Sequence, residues 1–491
     1  MRAVARGPLV LWALVCCAGA EKGVEGTDSG LPPGDKGLCP EGEPCALSAD
    51  EAAAIFLGED EGGWAGMAVG GAGDLDGDGH SDLLISAVSS PPGGVAYLVL
   101  GPADGQVPLA NADATLRDWT GGLLTGLSLA GAGDLDGDGH SDLLVGAMEG
   151  GEAEQMSGIV YLVNGPILGE IDLSTSATRF PGLAAQSYLG SSLVAPGDVN
   201  GDGVPDLVLG APGAPGGPSD NPLYGAATLL LGPFDERSSL AGAAATIRGA
   251  NVGSQLGQSL AGPGDVDGDG LADVLVGAFG DLSDGDITGS ATLLLGPWAD
   301  EDPFGEGGTR LWGQADGDFA GFSVAGAGDV DGDGLPDLLV GAHGESTNGL
   351  DAGAAYLVLS PPGRSISLAE ADCKLLGPGE PALAGVSVAG PGDVNGDGHA
   401  DLLVGAPGDY LQGRSAGAAY LVYGPRSGIV ELSAAELQIV GAQPGDTLGY
   451  SVAGAGDVDG DGLADLLLGA YRVDAAEHDA GAAYLFLGGQ L

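Results

Sequence analysis

Positive charge is what this 491-residue sequence most lacks: 14 Lys and Arg stand against 69 Asp and Glu, a formal net charge of −55. Lysine occurs only as Lys22, Lys36 and Lys374. Such a surface repels phosphate backbones and anionic lipid, which excludes nucleic acid as a partner. Long apolar runs are missing too. None approaches the roughly twenty residues that span a bilayer, so no membrane span is expected. Aromatic residues make up 5% of the chain. Cysteine is sparse, with Cys16 and Cys17 near the start and then only Cys39, Cys45 and Cys373.

The first residues read as an export signal. Arg2 and Arg6 precede a short apolar core, Leu9 to Val15, and Ala18-Gly19-Ala20 forms a small-residue cleavage site. Residues 1–20 are therefore expected to be removed and the chain to be secreted or held at the cell surface. A lipoprotein anchor through Cys17 is the alternative, although Leu14-Val15-Cys16 makes a poor acylation motif. An oxidising destination makes a Cys39–Cys45 disulfide plausible, leaving Cys373 as a small buried strand residue. Residues 21–50 are rich in Gly, Pro and acidic side chains without periodicity, and read as a flexible tether.

Glycine is abundant, at 97 residues, yet it follows no three-residue period, so a collagen-like helix is excluded. Hydrophobic residues make up 44% of the chain, which excludes disorder. Instead the chain repeats. The pattern Asp-x-(Asp/Asn)-Gly-Asp-Gly-x-x-Asp begins at Asp74, Asp134, Asp198, Asp265, Asp329, Asp393 and Asp457, at intervals of 60, 64, 67, 64, 64 and 64 residues.

Each unit has the same internal order. A small-residue segment such as Gly449-Tyr450-Ser451-Val452-Ala453-Gly454-Ala455-Gly456 leads into the Asp loop. Two apolar runs follow, such as Asp465 to Ala470 and Gly481 to Gly488, and then a mixed segment such as Leu437-Gln438-Ile439-Val440-Gly441. Runs of this length bounded by Gly and Pro predict four strands per unit. Four strands repeated at this period predict an all-β, seven-bladed β-propeller of four-stranded antiparallel blades over residues 51–491. Small residues in the first strand fit the axis, where blades crowd. The seventh unit stops after its third strand, while an orphan run, Ala53-Ala54-Ile55-Phe56-Leu57-Gly58, precedes the first. That run is expected to complete the last blade and close the ring.

The Asp loops carry the chemistry. Carboxylates at positions 1, 3 and 5 converge only if the chain curls, and Gly at 4 and 6 permits the curl. Position 7 offers a backbone carbonyl and Asp at 9 closes the shell. An all-oxygen cage of this kind suits Ca²⁺ better than Mg²⁺, and no thiolate or converging imidazole favours zinc or copper. In the first loop the donors are Asp74, Asp76, Asp78, His80 and Asp82; in the second, Asp134, Asp136, Asp138, His140 and Asp142. The third offers Asp198, Asn200, Asp202, Val204 and Asp206, and the fourth Asp265, Asp267, Asp269, Leu271 and Asp273. The fifth offers Asp329, Asp331, Asp333, Leu335 and Asp337. The sixth has Asp393, Asn395, Asp397, His399 and Asp401, and the seventh Asp457, Asp459, Asp461, Leu463 and Asp465. Up to seven Ca²⁺ ions are thus expected. At position 7, the side chains of His80, His140 and His399 are expected to point outward.

Ordinary hairpin turns could explain one such loop, but not seven acid-dense copies. Empty, each loop would confine like charges at a cost on the order of 1 kcal/mol or more per pair. An EF-hand needs Glu at position 12. Here position 12 is Ile85, Val145, Leu209, Val276, Val340, Val404 and Leu468, so that reading fails.

Gly257-Gln258-Ser259, Gly321-Phe322-Ser323 and Gly449-Tyr450-Ser451, paired with Gly210-Ala211-Pro212, Gly405-Ala406-Pro407 and Gly277-Ala278-Phe279, resemble FG-GAP repeats, the units of the integrin α-subunit β-propeller. The resemblance covers residues 51–491. It implies that the Asp loops join the first two strands of each blade on the lower face and bind Ca²⁺ through positions 1, 3, 5, 7 and 9. Sites three and six, with Asn200 and Asn395, would then have lower affinity. Integrin propellers keep the motif in only some blades, whereas all seven carry it here, which suggests a bacterial-type or stand-alone member. No leg domains or transmembrane helix follow, so heterodimerisation is not carried over.

The same resemblance places partner contacts on the opposite face, in variable stretches such as Pro212 to Gly225, Phe279 to Gly289, His343 to Gly353, Pro407 to Gly417 and Tyr471 to Gly481. The expected function is an extracellular, monomeric protein-binding or cell-adhesion module. A lectin-like use is the alternative; Trp64, Trp119, Trp298 and Trp312 are the tryptophans beyond the signal. An accessory domain of a hydrolase ranks lower. Catalysis by the chain itself is not expected, because His343 and His478 form no metal-binding pair and the repeated Gly-x-Ser is a strand element.

Overall fold

The computed structural model describes residues 45–491, apart from 120–123, 151–155, 217–222, 236–237, 284, 299–307, 361 and 476. The expected export signal, Cys17, Cys39 and the tether up to residue 44 lie outside the described residues.

The first unit shows how composition makes a blade. Its strands are Ala65–Gly73, Asp82–Ala87, Val95–Val99 and Ala114–Arg117, paired antiparallel in chain order. Every residue of the second and third strands is buried, as a run without polar alternation requires, because both faces of the sheet are covered by neighbours. The same meander recurs at 125–181, 192–248, 260–312, 324–376 and 387–440. In this topology the connections from first to second and third to fourth strand share one face. The second-to-third connections and the links between blades share the other.

Seven apolar clusters hold the blades together, one at each junction between adjacent blades. Ring closure is visible in the backbone as well. A parallel bridge joins the start of each third strand to the next blade's first strand, from Gly94 and Thr125 round to Gly481 and Ala65. The molecule is a seven-bladed β-propeller.

Closure is a double latch. Ala54–Leu57 pairs antiparallel with Ala482–Phe486, Phe56 opposite Ala483, and supplies the fourth strand of blade 7. Cys45–Ser48 pairs parallel with Leu437–Val440 on blade 6. This corrects the expected tether at its last residues, 45–50, which are strand and 3₁₀ turn rather than flexible chain. The physical reason is an open strand edge with free backbone groups beside the chain's point of entry. Cys45 and Leu47 also pack on the cluster between blades 6 and 7. Ser48 then caps the turn Ala49–Glu51 reciprocally with Glu51.

Four-stranded blades are also only part of the pattern. Gly105–Pro108, Gly169–Asp172, Ile366–Ser367 and Gly428–Glu431 each add a parallel fifth strand to the preceding blade's outer edge.

Phe56 is fully buried in the cluster joining blades 7 and 1. Phe56→Ala is expected to cost about 3–5 kcal/mol, read as a lower chemical-denaturation midpoint. An unchanged midpoint would show that this strand does not secure the ring.

Candidate metal centres

Each Asp loop curls as its glycines allow. In the fifth, Gly332 and Gly334 have φ of +81° and +93°, a region that side chains with a Cβ avoid. Asp329 accepts the N–H of Gly332 on Oδ1 and that of Gly334 on Oδ2, at 2.7 and 2.9 Å. Asp331 accepts the N–H of Asp333, and Asp333 that of Leu335. The loops at Asp74, Asp134, Asp198, Asp265, Asp393 and Asp457 repeat this arrangement.

Two anchors hold each loop in the fold. The first is the apolar residue at position 2, whose pattern the sequence shows but whose role only burial reveals. Leu75, Leu135, Val199, Val266, Val330, Val394 and Val458 are all buried. The second is the aspartate at position 9, which is fully enclosed in every loop. Asp337 Oδ2 accepts the N–H of Val330 at 2.9 Å, and its Oδ1 that of Ser360 beyond the third strand, also at 2.9 Å. The second bond ties two connections of the lower face together.

Burial pushes the carboxyls of Asp273, Asp337, Asp401 and Asp465 up to about 6, against the pull of their backbone donors. Asp82, Asp142 and Asp206 shift upward for the same reason. No described Lys or Arg pairs with any of the seven. In the loops at Asp74 and Asp134, carboxylate oxygens of positions 1, 3 and 9 lie within 4.8 Å of one another; in those at Asp265 and Asp329, positions 1, 3 and 5 do so. Enclosed carboxylates converging on exposed ones, with no cationic side chain to answer them, fit a hard, oxygen-seeking cation.

Two of the three histidines at position 7 depart from the outward orientation expected of them, while His140 is exposed. His80 Nδ1 lies 3.0 Å from Val458 O, and His399 Nδ1 lies 3.1 Å from Val330 O, each on the preceding blade's loop. Beside them, the N–H groups of Ser81, Ala272, Ala400 and Ala464 donate to the position-1 carbonyls of the preceding loops. These bonds join the loops at four of the seven junctions, blades 3 to 4, 5 to 6, 6 to 7 and 7 to 1; Pro205 and Pro336, at the same position in blades 3 and 5, have no N–H to donate.

Near the axis, the repeated serines serve the seams between blades. Ser128, Ser192, Ser259, Ser323 and Ser451 donate their hydroxyls to the glycine carbonyl that opens the next blade's first strand. A Cβ on Gly341 would lie 2.2 Å from both Gly385 O and Ser323 Oγ, so serine on one strand demands glycine on its partner. Blade 1 exchanges the two: Ala68 replaces the serine, and Ser86, in the glycine's place, accepts the Ala68 N–H at 2.9 Å.

The upper face carries features that sequence reasoning missed. Asp474, His478 and Asp479 converge on the 471–481 connection, with His478 Nδ1 3.1 Å from Asp479 Oδ2. His343 stacks on Phe319 and meets Phe322 edge-on. Cys373 is free and fully buried, as expected, and burial pushes its thiol up to about 11.

A closed ring of blades with an acidic, cation-fitting loop at the base of each defines the class of protein: a repeat propeller built around potential metal centres. Comparison with known proteins narrows it. The FG-GAP repeat family matches residues 125–163, 190–224, 320–358, 384–422 and 448–486, so the chain carries five FG-GAP repeats. It is 32% identical over 233 residues to Integrin alpha-PS2 of Drosophila melanogaster, spanning 46% of this chain and 16% of the relative. Integrin alpha-V of Gallus gallus is 32% identical over 237 residues, 45% of this chain and 20% of the relative. Phosphatidylinositol-glycan-specific phospholipase D of Homo sapiens is 35% identical over 208 residues, 38% of this chain and 24% of the relative. The chain thus spans about a fifth of the length of these relatives.

Although an edge of His343 stays exposed, its Nδ1 is enclosed without a partner, and burial lowers its pKa to about 4. A base depressed in the fold contributes stability above its ordinary pKa near 6.5 and loses it as pH falls toward 4. Acidification over that range is expected to destabilise the wild type by about 1–3 kcal/mol more than His343→Phe, measured by chemical denaturation at each pH. Parallel pH profiles would refute this.

Proposed function

We propose that the chain is an extracellular, calcium-stabilised binding module that takes a protein partner on the face opposite its Asp loops. One observation carries this reading. Of eleven exposed large hydrophobic side chains among the described residues, eight lie on upper-face connections: Trp119, Leu183, Val252, Leu282, Ile287, Leu350, Tyr410 and Leu411. Exposed apolar side chains gathered on one face of a soluble scaffold mark a contact surface. The relatives named as integrin α chains support a cell-adhesion role. A disulfide-bonded Cys45 supports an oxidising, secreted destination, and among the described residues no helix is long and apolar enough to cross a membrane. The ring acts as a monomer.

Ca²⁺ would be held by the carboxylates or amides at positions 1, 3, 5 and 9 and the carbonyl at position 7. It would supply the positive charge that the enclosed position-9 carboxylates lack. Sites three and six would bind more weakly, because Asn200 and Asn395 remove one charge each. Catalysis is not part of this reading: the repeated serines are engaged by backbone carbonyls and His343 sits within phenylalanines. A hydrolase accessory domain is the second reading, favoured by the similarity to the phospholipase D.

Chelation by EGTA is expected to lower the melting temperature by many degrees, since each ion at a hundred times its Kd adds about 2.7 kcal/mol. Mg²⁺ should restore it poorly, and equilibrium dialysis should count close to seven ions. One or two would make most loops ordinary turns.

The binding face is tested by displaying extracellular proteins and glycans on separate arrays. Tyr410→Ser with Leu411→Ser should reduce protein capture at least tenfold, while Ile429→Ser, away from the upper face, should leave it intact. Capture by glycans alone would instead favour the lectin-like use.

A further inference from the structure

The seven loops are not equivalent, and the difference is written in one side chain. Asn164 follows the third strand of blade 2, Ile159–Val163, and its Nδ2 donates to Asp136 Oδ2 at 2.5 Å. Asp136 Oδ1 accepts the N–H of Asp138 at 3.1 Å. This position-3 carboxylate is therefore held through both oxygens. Its counterparts Asp76, Asp267, Asp331 and Asp459 accept the position-5 N–H on Oδ1. Among the described residues no side chain donates to their second oxygen. The reason lies in the residue after the third strand, which is Leu100, Leu231, Leu295, Leu359 and Leu487 in five blades and Tyr423 in the sixth. Leucine has no donor.

The loops with Asn at position 3 form a third kind. Asn200 donates to Asp202 Oδ2, and Asn395 to Asp397 Oδ2, both at 3.0 Å. There the amide replaces a carboxylate and engages another. Asn164 instead adds an amide from outside the loop and leaves all four acids in place.

Resting on the calcium reading above, we propose that Asn164 is a positioning residue that makes the second loop the tightest calcium site of the ring. Four carboxylates crowded without an ion repel one another, and a position-3 side chain held through one oxygen is freer to swing outward than one held through two. Held by Asn164, Asp136 stays in the loop before the ion arrives, so less ordering remains to oppose binding. Partners that orient a metal ligand from behind are typically worth about 10- to 100-fold in affinity.

The test is a calcium titration of the full chain in EGTA buffers, followed by hydrogen–deuterium exchange of peptides covering each loop, with bound calcium counted by dialysis. Asn164→Leu installs the residue that five blades already tolerate. It should move the protection midpoint of residues 134–142 to about 10- to 100-fold higher free calcium, leaving the other six loops and the calcium-free melting temperature unchanged. Leu359→Asn should move residues 329–337 the opposite way, a gain that a merely structural asparagine could not confer. If the wild type binds calcium but Asn164→Leu leaves 134–142 in place, or shifts all loops together, the assignment of Asn164 is wrong while the calcium reading stands. If the wild type takes up no calcium, that reading falls and this one with it.

Discussion

Seven enclosed carboxylates at the lower rim, each answered only by backbone N–H groups, are the constraint around which the propeller is arranged. Asp82, Asp142, Asp206, Asp273, Asp337, Asp401 and Asp465 are fully buried, and burying a charge without a charged partner is costly. Each repays part of that cost locally by ordering the backbone. One oxygen fixes the apolar position-2 residue against the blade, and the other fixes the connection beyond the third strand. What remains uncompensated is a negative potential focused on the Asp loop, where the other carboxylates converge. The scaffold and the candidate metal centre are thus one device rather than a site placed on a finished fold.

The rest of the ring follows from blades that cannot stand alone. Second and third strands apolar on both faces leave each sheet unstable until neighbours cover it, so the seven clusters at the junctions are the core. At the axis, backbones approach so closely that a hydroxyl and a hydrogen atom must alternate between facing strands. The exchange of Ala68 and Ser86 in blade 1 shows that the space, rather than the order of residues, is what the fold requires. At the rim, backbone bonds and the inward-turned His80 and His399 link Asp loops at four of the seven junctions, none of them involving the second loop.

Much of this was legible in the residues. The repeat period, the Gly-bounded apolar runs and the orphan strand at Ala53–Gly58 were sufficient for the blade count and the latch at Ala54–Leu57. Glycines at positions 4 and 6 announced the curl of the loop. The second latch was not legible, because Cys45–Ser48 is too short to show periodicity and its partner edge lies about 390 residues away. The parallel fifth strands escaped because they too are only two to four residues long. The inward turn of His80 and His399 was hidden too, since only the packing of adjacent blades brings a carbonyl within reach of the ring.

By itself, then, the sequence determined the kind of unit, the number of units and the oxygen chemistry at the base of each, because these depend on residues within nine positions or within one period. The tertiary structure alone decided which carboxylate is enclosed, which face gathers exposed apolar side chains, and that Asn164 reaches Asp136. Those are relations between segments that meet only when the strands of a blade pair and the blades pack on one another, so no run of consecutive residues records them.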